Sequence, residues 1–196
     1  DVFVYWQATR GTQIRAHAYP DGMPANLWVM IKPQKIKDVY TPIQAVTRPD
    51  TRFFHCNIKT LNLLPSVMYA KEAERLGVYE TILYREPDRV TECAHSNVSI
   101  LTHEGVFRTA PTDNLILPGI ARANLLRACR ALGIPTDETP FTLSELRNAA
   151  EIIISSSSAF CMVCNQLDGS PCGGGAPEQL NALRTYLVDD FMSKTE

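Results

Sequence analysis

The sequence predicts an α+β fold with a strand-rich middle. Short alternating or apolar runs bounded by Gly, Pro and Asp recur from Val2 to Thr109, the spacing of successive strands. Stretches with helical period are few and do not alternate regularly with the strands. Ile152-Ile153-Ile154 is a continuous apolar run of the kind that forms a buried strand.

In chain order, 2–9 alternates and reads as a strand ending at Thr9-Arg10-Gly11. Gln13 to Tyr19 reads as a second extended segment, closed by the turn Pro20-Asp21-Gly22. Leu27–Ile31 and Ile43–Val46 read as strands, with 32–38 a polar loop between them. Arg52-Phe53-Phe54-His55 reads as a further strand that delivers Lys59 to a helix. That helix is predicted over 64–76: Pro65 suits a first turn, Gly77 a stop, and Leu64, Val67 and Met68 an inner face opposite Lys71, Glu72 and Arg75. Val78–Tyr84 and Val90–Glu92 read as strands, and Val98–Leu101 with Val106–Thr109 as a hairpin around His103-Glu104-Gly105. Gly119 opens a helix with the face Ala121, Leu125, Ala128 and Leu132, ended by Gly133. Phe141–Leu146 suggests a short helix, and the triplet Gly173-Gly174-Gly175 a flexible break. The final helix, 176–192, carries Leu180, Leu183, Leu187 and Phe191 on one stripe. No internal repeat is present.

A length of 196 residues is consistent with one domain, two being the alternative, and suffices for a sizeable core. A net charge of −2 gives no electrostatic reason for nucleic acid or an anionic membrane as partner. No apolar run is long enough to span a bilayer, and the expected location is the cytoplasm. Six scattered cysteines do not make a disulfide framework. Cys161-Met162-Val163-Cys164 has the C-x-x-C form, but it sits in an apolar strand-like run with no second pair, so packing outweighs metal or redox use.

The chemistry centres on Cys56-Asn57-Ile58-Lys59-Thr60-Leu61-Asn62-Leu63-Leu64, where a lysine interrupts an apolar run on a partly buried backbone. A lone lysine at a strand end is ordinarily just solvated, whereas burial would keep its amine neutral and nucleophilic. Further along come Thr91-Glu92-Cys93-Ala94-His95-Ser96-Asn97-Val98, Leu117-Pro118-Gly119-Ile120-Ala121-Arg122 and Ser155-Ser156-Ser157-Ser158; upstream lies Thr9-Arg10-Gly11-Thr12-Gln13-Ile14-Arg15-Ala16-His17. With these motifs in this order, nearly the whole chain resembles the fold type IV aminotransferases that use pyridoxal 5′-phosphate (PLP), most closely the D-amino acid aminotransferases. The resemblance implies their C-terminal large domain, a strand-rich pseudo-barrel with flanking helices. It also implies transfer of an amino group between a D-amino acid such as D-alanine and a 2-oxo acid.

The implied roles meet what PLP requires of a protein. Lys59 is the implied Schiff-base lysine and, once freed, the general base. Glu92 is the implied carboxylate at the ring nitrogen, against the plainer reading of an exposed strand-end glutamate. Arg52, seven residues before Lys59, is placed to orient Glu92, the alternative being a solvated strand arginine. Gly119, Ile120 and Ala121 at a helix start offer free N–H groups to a phosphate, although a glycine N-cap is common in any protein. Ser155, Ser156 and Ser157 offer hydroxyls to the same phosphate, where four serines usually mean a loop. Leu117 would support the ring by contact, although a lone leucine is normally core. No metal is implied.

Arg15 and His17, two apart on an extended segment, would share one face and make a carboxylate clamp; a solvated polar face is the plainer alternative. In the resembled enzymes this pair holds the substrate carboxylate in the neighbouring subunit's site, which implies a homodimer.

Two residues depart from the family pattern: Ala121 stands where threonine is frequent, and Ser99 where an aromatic is usual. The whole stretch 1–196 is expected to be one domain matching the cofactor-binding part, with 1–50 including the end of the N-terminal or interdomain region. The family's small N-terminal domain is expected to be missing, through cleavage, fragmentation or a separate chain. Two alternatives stand beside the transaminase: a PLP lyase of the aminodeoxychorismate lyase type using the same Lys59 and Glu92, and a non-catalytic fragment that needs a partner chain.

Overall fold

The computed structural model describes residues 2–35 and 37–194. Ile36, within the loop expected over 32–38, lies outside the described residues. The chain divides into two compact units, Asp1–Lys37 and Asp38–Glu196.

The first unit is an antiparallel ribbon of β1 (Val2–Thr9) and β2 (Asn26–Pro33), registered from Val2 opposite Pro33 to Thr9 opposite Asn26. Both strands alternate or cluster apolar residues, and the Tyr5 and Trp28 rings meet edge-on at 5.6 Å. The extended segment expected over Gln13–Tyr19 is not formed; residues 10–25 make an irregular connection. Local side-chain bonds take the place of a ladder there: Gln13 Nε2 donates to the Ala18 carbonyl at 3.1 Å, and Asn26 Nδ2 to Thr12 Oγ1 at 2.9 Å.

The second unit is built on a nine-stranded mixed sheet. Its strands are β3 (Ile43–Pro49), β4 (Glu80–Arg85), β5 (Arg89–Cys93), β6 (Asn97–Leu101), β7 (Phe107–Thr109), β8 (Thr136–Asp137), β9 (Glu151–Ser156), β10 (Ala159–Leu167) and β11 (Ser170–Pro171). The order is β5-β4-β3-β10-β9-β6-β7-β8, with β11 on β10. β3 runs parallel to both β4 and β10, whereas β9 is antiparallel to β10 and β6. The sheet curls into a half-barrel, and β5, at one end of the order, leads directly into β6 through a tight turn closed by a bond of 2.8 Å from the Cys93 N–H to the Ser96 carbonyl. The triplet Ile152–Ile154 is fully buried because both faces of β9 are covered. Ile152 and Ile154 pack inside the curl with Ile82, Val98, Ile100 and Phe141. Ile153 packs on the outer face beneath α2 (Ile120–Ala131) and α4 (Pro177–Met192), against Leu125, Leu183 and Leu187.

The short helix α3 (Leu143–Arg147) starts with a capping box between Thr142 and Glu145. Cys161 and Cys164 are buried in β10, as the packing reading expects, and burial pushes both thiols up to about 12. β8 and β11, two residues each, carry too little pattern to be seen in the sequence.

Helix α1 (Leu64–Leu76) forms as expected, with Pro65 in its first turn and Gly77 left-handed at its end (φ 71°). Its inner face is not the expected one. Leu64, Val67 and Met68 are exposed, at 70%, 59% and 64%, while Tyr69 and Ala73 are buried. Tyr69 decides the orientation: its hydroxyl donates to the Pro49 carbonyl at 2.6 Å and accepts from the Thr51 N–H at 3.0 Å. The strand expected over Arg52–His55 is also absent, and residues 50–63 are irregular. Asp50 accounts for this, because its Oδ1 accepts the Arg52 N–H at 3.0 Å, a local turn that takes the backbone out of any ladder.

Candidate active site

Glu92, near the end of β5, is 5% exposed and surrounded by donors. Its Oε1 accepts from Arg52 Nη1 in a short ion pair. Its Oε2 accepts from Asn97 Nδ2 at 2.9 Å and from the Leu117 N–H at 2.9 Å. A carboxylate has about four acceptor positions, so three donors leave one free on Oε1. Burial pushes the Glu92 carboxyl up to about 7, against the pull of the Arg52 guanidinium and the Leu117 N–H.

Arg52 is held in turn. Its Nε and Nη2 donate to the two oxygens of Asp50, each at 2.9 Å, and Nη2 also reaches the Leu115 carbonyl at 3.2 Å. The structure thus brings Arg52 to Glu92, but from the loop after β3 and not from a strand.

Asn97, at the start of β6, ties two motifs together. Its amide donates to Glu92 and also to the Leu117 carbonyl at 3.0 Å. Leu117 is half-buried and joins the site through its backbone, both polar groups of which are engaged by the Glu92–Asn97 pair. Two residues on, Gly119 is the N-cap of α2. A Cβ there would lie 2.1 Å from Asn97 Oδ1, so only glycine lets the helix start this close to the strand. No side chain caps α2, and its first-turn N–H groups, those of Ile120, Ala121 and Arg122, have no partner within the helix. Ile120 is exposed and Ala121 buried.

Asn97 stands opposite Ser155 across the β6–β9 ladder, and directly opposed residues share a face. Ser155 is 1% exposed, and its hydroxyl is buried without a hydrogen-bond partner among the described residues. Ser155 and the N-terminus of α2 thus flank Asn97. Ser156 points to the opposite face, and Ser157 lies in the exposed turn to β10, so the serine run contributes one inward hydroxyl. Ser99 is fully buried in the ladder with its hydroxyl also unpaired, so its departure from the resembled pattern falls in interior packing.

Lys59 is exposed, not on the partly buried backbone expected from its neighbours. Ile58, Leu61 and Leu63 are exposed as well, so the apolar flank does not close over the lysine. The loop that carries it is anchored to the Glu92 side: the Cys56 N–H donates to the Asn114 carbonyl at 2.9 Å, and Asn114 Nδ2 to the Phe54 carbonyl at 2.9 Å. Arg15 and His17 are both exposed in the irregular connection of the first unit, so no strand period places them on one face.

Two site residues escaped the sequence reading as site residues. Asn97 stands inside a motif that was noted, but an asparagine after a strand turn carries no mark of a double donor. Asp50 follows Pro49 at a strand end, which signals a turn and nothing more.

The half-barrel thus carries a buried carboxylate near the end of β5 and, joined to it through Asn97 and Leu117, the open N-terminus of α2. Residues 3–167 match the family model described as amino-transferase class IV, and the chain belongs to that family of enzymes. A D-alanine aminotransferase from Listeria innocua is 36% identical over 195 residues, 96% of this chain and 67% of that protein. Another from Bacillus licheniformis is 36% identical over 197 residues, 98% of this chain and 68% of that protein. The chain thus spans about two thirds of the length of these curated relatives. Among solved structures, a putative 4-amino-4-deoxychorismate lyase from Legionella pneumophila superposes with a TM-score of 0.85 at 18% identity, covering 95% of this chain and 69% of that one. A fold IV-transaminase from Curtobacterium pusillum gives 0.79 at 24% identity, covering 95% of this chain and 64% of that one. At such identities the structural likeness carries the fold alone.

Proposed function

We propose that this chain carries the cofactor-holding part of a PLP-dependent aminotransferase that moves an amino group between a D-amino acid, D-alanine foremost, and a 2-oxo acid. The observation that supports it most is the Glu92 carboxylate, buried under three donors with one acceptor position left. The residues present fit PLP: Glu92 for the ring nitrogen, the buried unpaired Ser155 hydroxyl and the open first turn of α2 for the phosphate, and an exposed lysine amine at Lys59. Bound there, PLP supplies the electron sink that lets an amino acid lose its Cα proton.

In this reading the chain's own groups do the following. Glu92 accepts a hydrogen bond from the ring nitrogen and keeps a proton on it, and Arg52 and Asn97 keep the carboxylate in place. The N–H groups of Ile120 and Ala121 and the Ser155 hydroxyl hold the phosphate, helped by the positive end of the α2 dipole. Ser156 and Ser157 would contribute backbone groups from the end of β9 and the turn to β10, not their hydroxyls. Lys59 binds the cofactor covalently and, when released, carries the Cα proton. Leu117 would support the ring by contact, and Arg15 with His17 would hold the substrate carboxylate across a homodimer. Residues 1–50 include the end of the N-terminal or interdomain region, and the enzyme works in the cytoplasm. No helix among the described residues is long and apolar enough to cross a membrane.

The test is reconstitution with PLP followed by D-alanine and 2-oxoglutarate. Formation of pyruvate and glutamate at equal rates supports the transaminase. Inactivity with D-alanine together with pyruvate release from aminodeoxychorismate would move the assignment to the lyase.

A further inference from the structure

The side chain of Asp50 is fully buried, and it accepts more hydrogen bonds than any other buried carboxylate among the described residues. Oδ1 accepts from the Arg52 N–H at 3.0 Å and Arg52 Nε at 2.9 Å. Oδ2 accepts from Arg52 Nη2 at 2.9 Å, Thr91 Oγ1 at 2.9 Å and Arg85 Nε at 3.2 Å. Its own N–H donates to the Tyr84 carbonyl at 2.7 Å, so its backbone is fixed to β4. A guanidinium is a planar fork, and two of its nitrogens on one carboxylate leave the third no freedom of direction. In Arg52 that third nitrogen, Nη1, is the one on Glu92 Oε1.

We propose that Asp50 is a positioning residue for amino-group transfer: it braces Arg52 so that Nη1 meets Glu92, and thereby sets how Glu92 presents its free acceptor to the cofactor ring. The proposal rests on Glu92 being the ring partner. Arg85 completes the brace: its Nη2 donates to the Arg52 carbonyl at 2.8 Å, and its guanidinium lies 4.2 Å from the centre of the Phe54 ring. Thr91, next to Glu92 in β5, ties Asp50 directly to the strand that carries the carboxylate.

The distinction has a sign. Among the described residues, the charges that act on Glu92 are Arg52 and Asp50 from the loop after β3; Cys56 and Cys93 lie near it, with Arg85 from β4 behind Asp50 and Glu80 from β4 behind Cys93. Arg52 pulls the Glu92 carboxyl down, and the Asp50 charge pushes it up by less. If Asp50 were only a neighbouring charge, Asp50→Asn would lower the Glu92 midpoint. If it braces Arg52, the same variant frees the guanidinium, the larger pull is lost, and the midpoint rises.

The experiment follows the Glu92 carboxyl carbon by NMR against pH in the full chain with cofactor removed, the signal being assigned by its loss in Glu92→Gln. An upward shift in Asp50→Asn of about one pH unit, the lower end for losing an opposite charge at contact, is expected, and Arg52→Lys should move the midpoint the same way. A midpoint that stays or falls overturns the proposal. Should Asp50→Asn not fold, Asp50→Glu, which keeps the charge but spoils the fork, is judged by the same rule. The readout needs no cofactor, so the brace stands or falls apart from the ring assignment. That assignment fails separately if Glu92→Gln turns over like the wild type.

Discussion

Asn97 donates to Glu92 Oε2 at 2.9 Å, and the space beside its own Oδ1 is so tight that a Cβ on Gly119 would come within 2.1 Å of it. One asparagine therefore sets both the orientation of the buried carboxylate and the start of α2. Gly119→Ala has to push Asn97 or α2 aside. The expected loss is about 1–3 kcal/mol of stability, the usual cost of overpacking. PLP affinity should fall about tenfold as well, one factor of ten being about 1.4 kcal/mol. Denaturant unfolding and PLP titration of the variant measure the two; unchanged values for both would mean that the contact is not tight in solution.

Ser155→Ala separates binding from stability. The hydroxyl is buried and unpaired, so its removal should leave the stability of the cofactor-free chain unchanged or slightly higher. PLP binding should weaken by roughly 0.5–1.5 kcal/mol, one hydrogen bond. Equal PLP affinity in variant and wild type would remove Ser155 from the phosphate site.

Glu92 gives the cofactor-free chain a pH dependence of known sign. Folded Glu92 keeps its proton up to about pH 7, whereas the ordinary value is 4.5. The folded state thus binds more protons than the unfolded one across that window, and the Glu92 contribution to stability falls as pH rises through it. Subtracting the stability of Glu92→Gln from that of the wild type at each pH cancels the other groups. The difference should decline from pH 4.5 to 7.5, and a flat difference would contradict the raised value.

Arg15→Ala tests the substrate clamp. A charge-assisted hydrogen bond is worth about 1.5–3 kcal/mol, so KM for D-alanine and 2-oxoglutarate should rise roughly ten- to a hundredfold. The Kd for PLP should barely change. Steady-state kinetics on the reconstituted enzyme give the answer, and equal KM values would leave the choice of the D-series without its clamp.

Much of the site is legible in the sequence because it lies on periodic elements. The alternation through Val90–Glu92 places Glu92 at a strand end, and Gly119 before a helical repeat marks an open N-terminus. Ile152–Ile154 announces the buried strand that turns Ser155 inward. What the sequence conceals is tertiary. Asp50 finds Arg85 and Thr91, 35 and 41 residues away, and no local pattern encodes such a meeting. The period of α1 shows a helix but not which side is buried, since a tyrosine hydroxyl with two backbone partners outweighs three aliphatic side chains. Arg52–His55 has strand composition, yet the Asp50 side chain takes its first N–H. The surroundings of Lys59 differ from the sequence expectation for a related reason. An apolar flank in sequence says nothing about what covers it in space, and Ile58, Leu61 and Leu63 stay exposed.

We propose above all that Lys59 is the lysine that bonds the cofactor. The direct measurement is to load the protein with PLP, reduce it with borohydride, digest it and locate the phosphopyridoxyl group by mass spectrometry. The label is expected on Lys59, with none in Lys59→Ala. A label on another lysine, or an unmodified Lys59 in protein that has bound PLP, would contradict it.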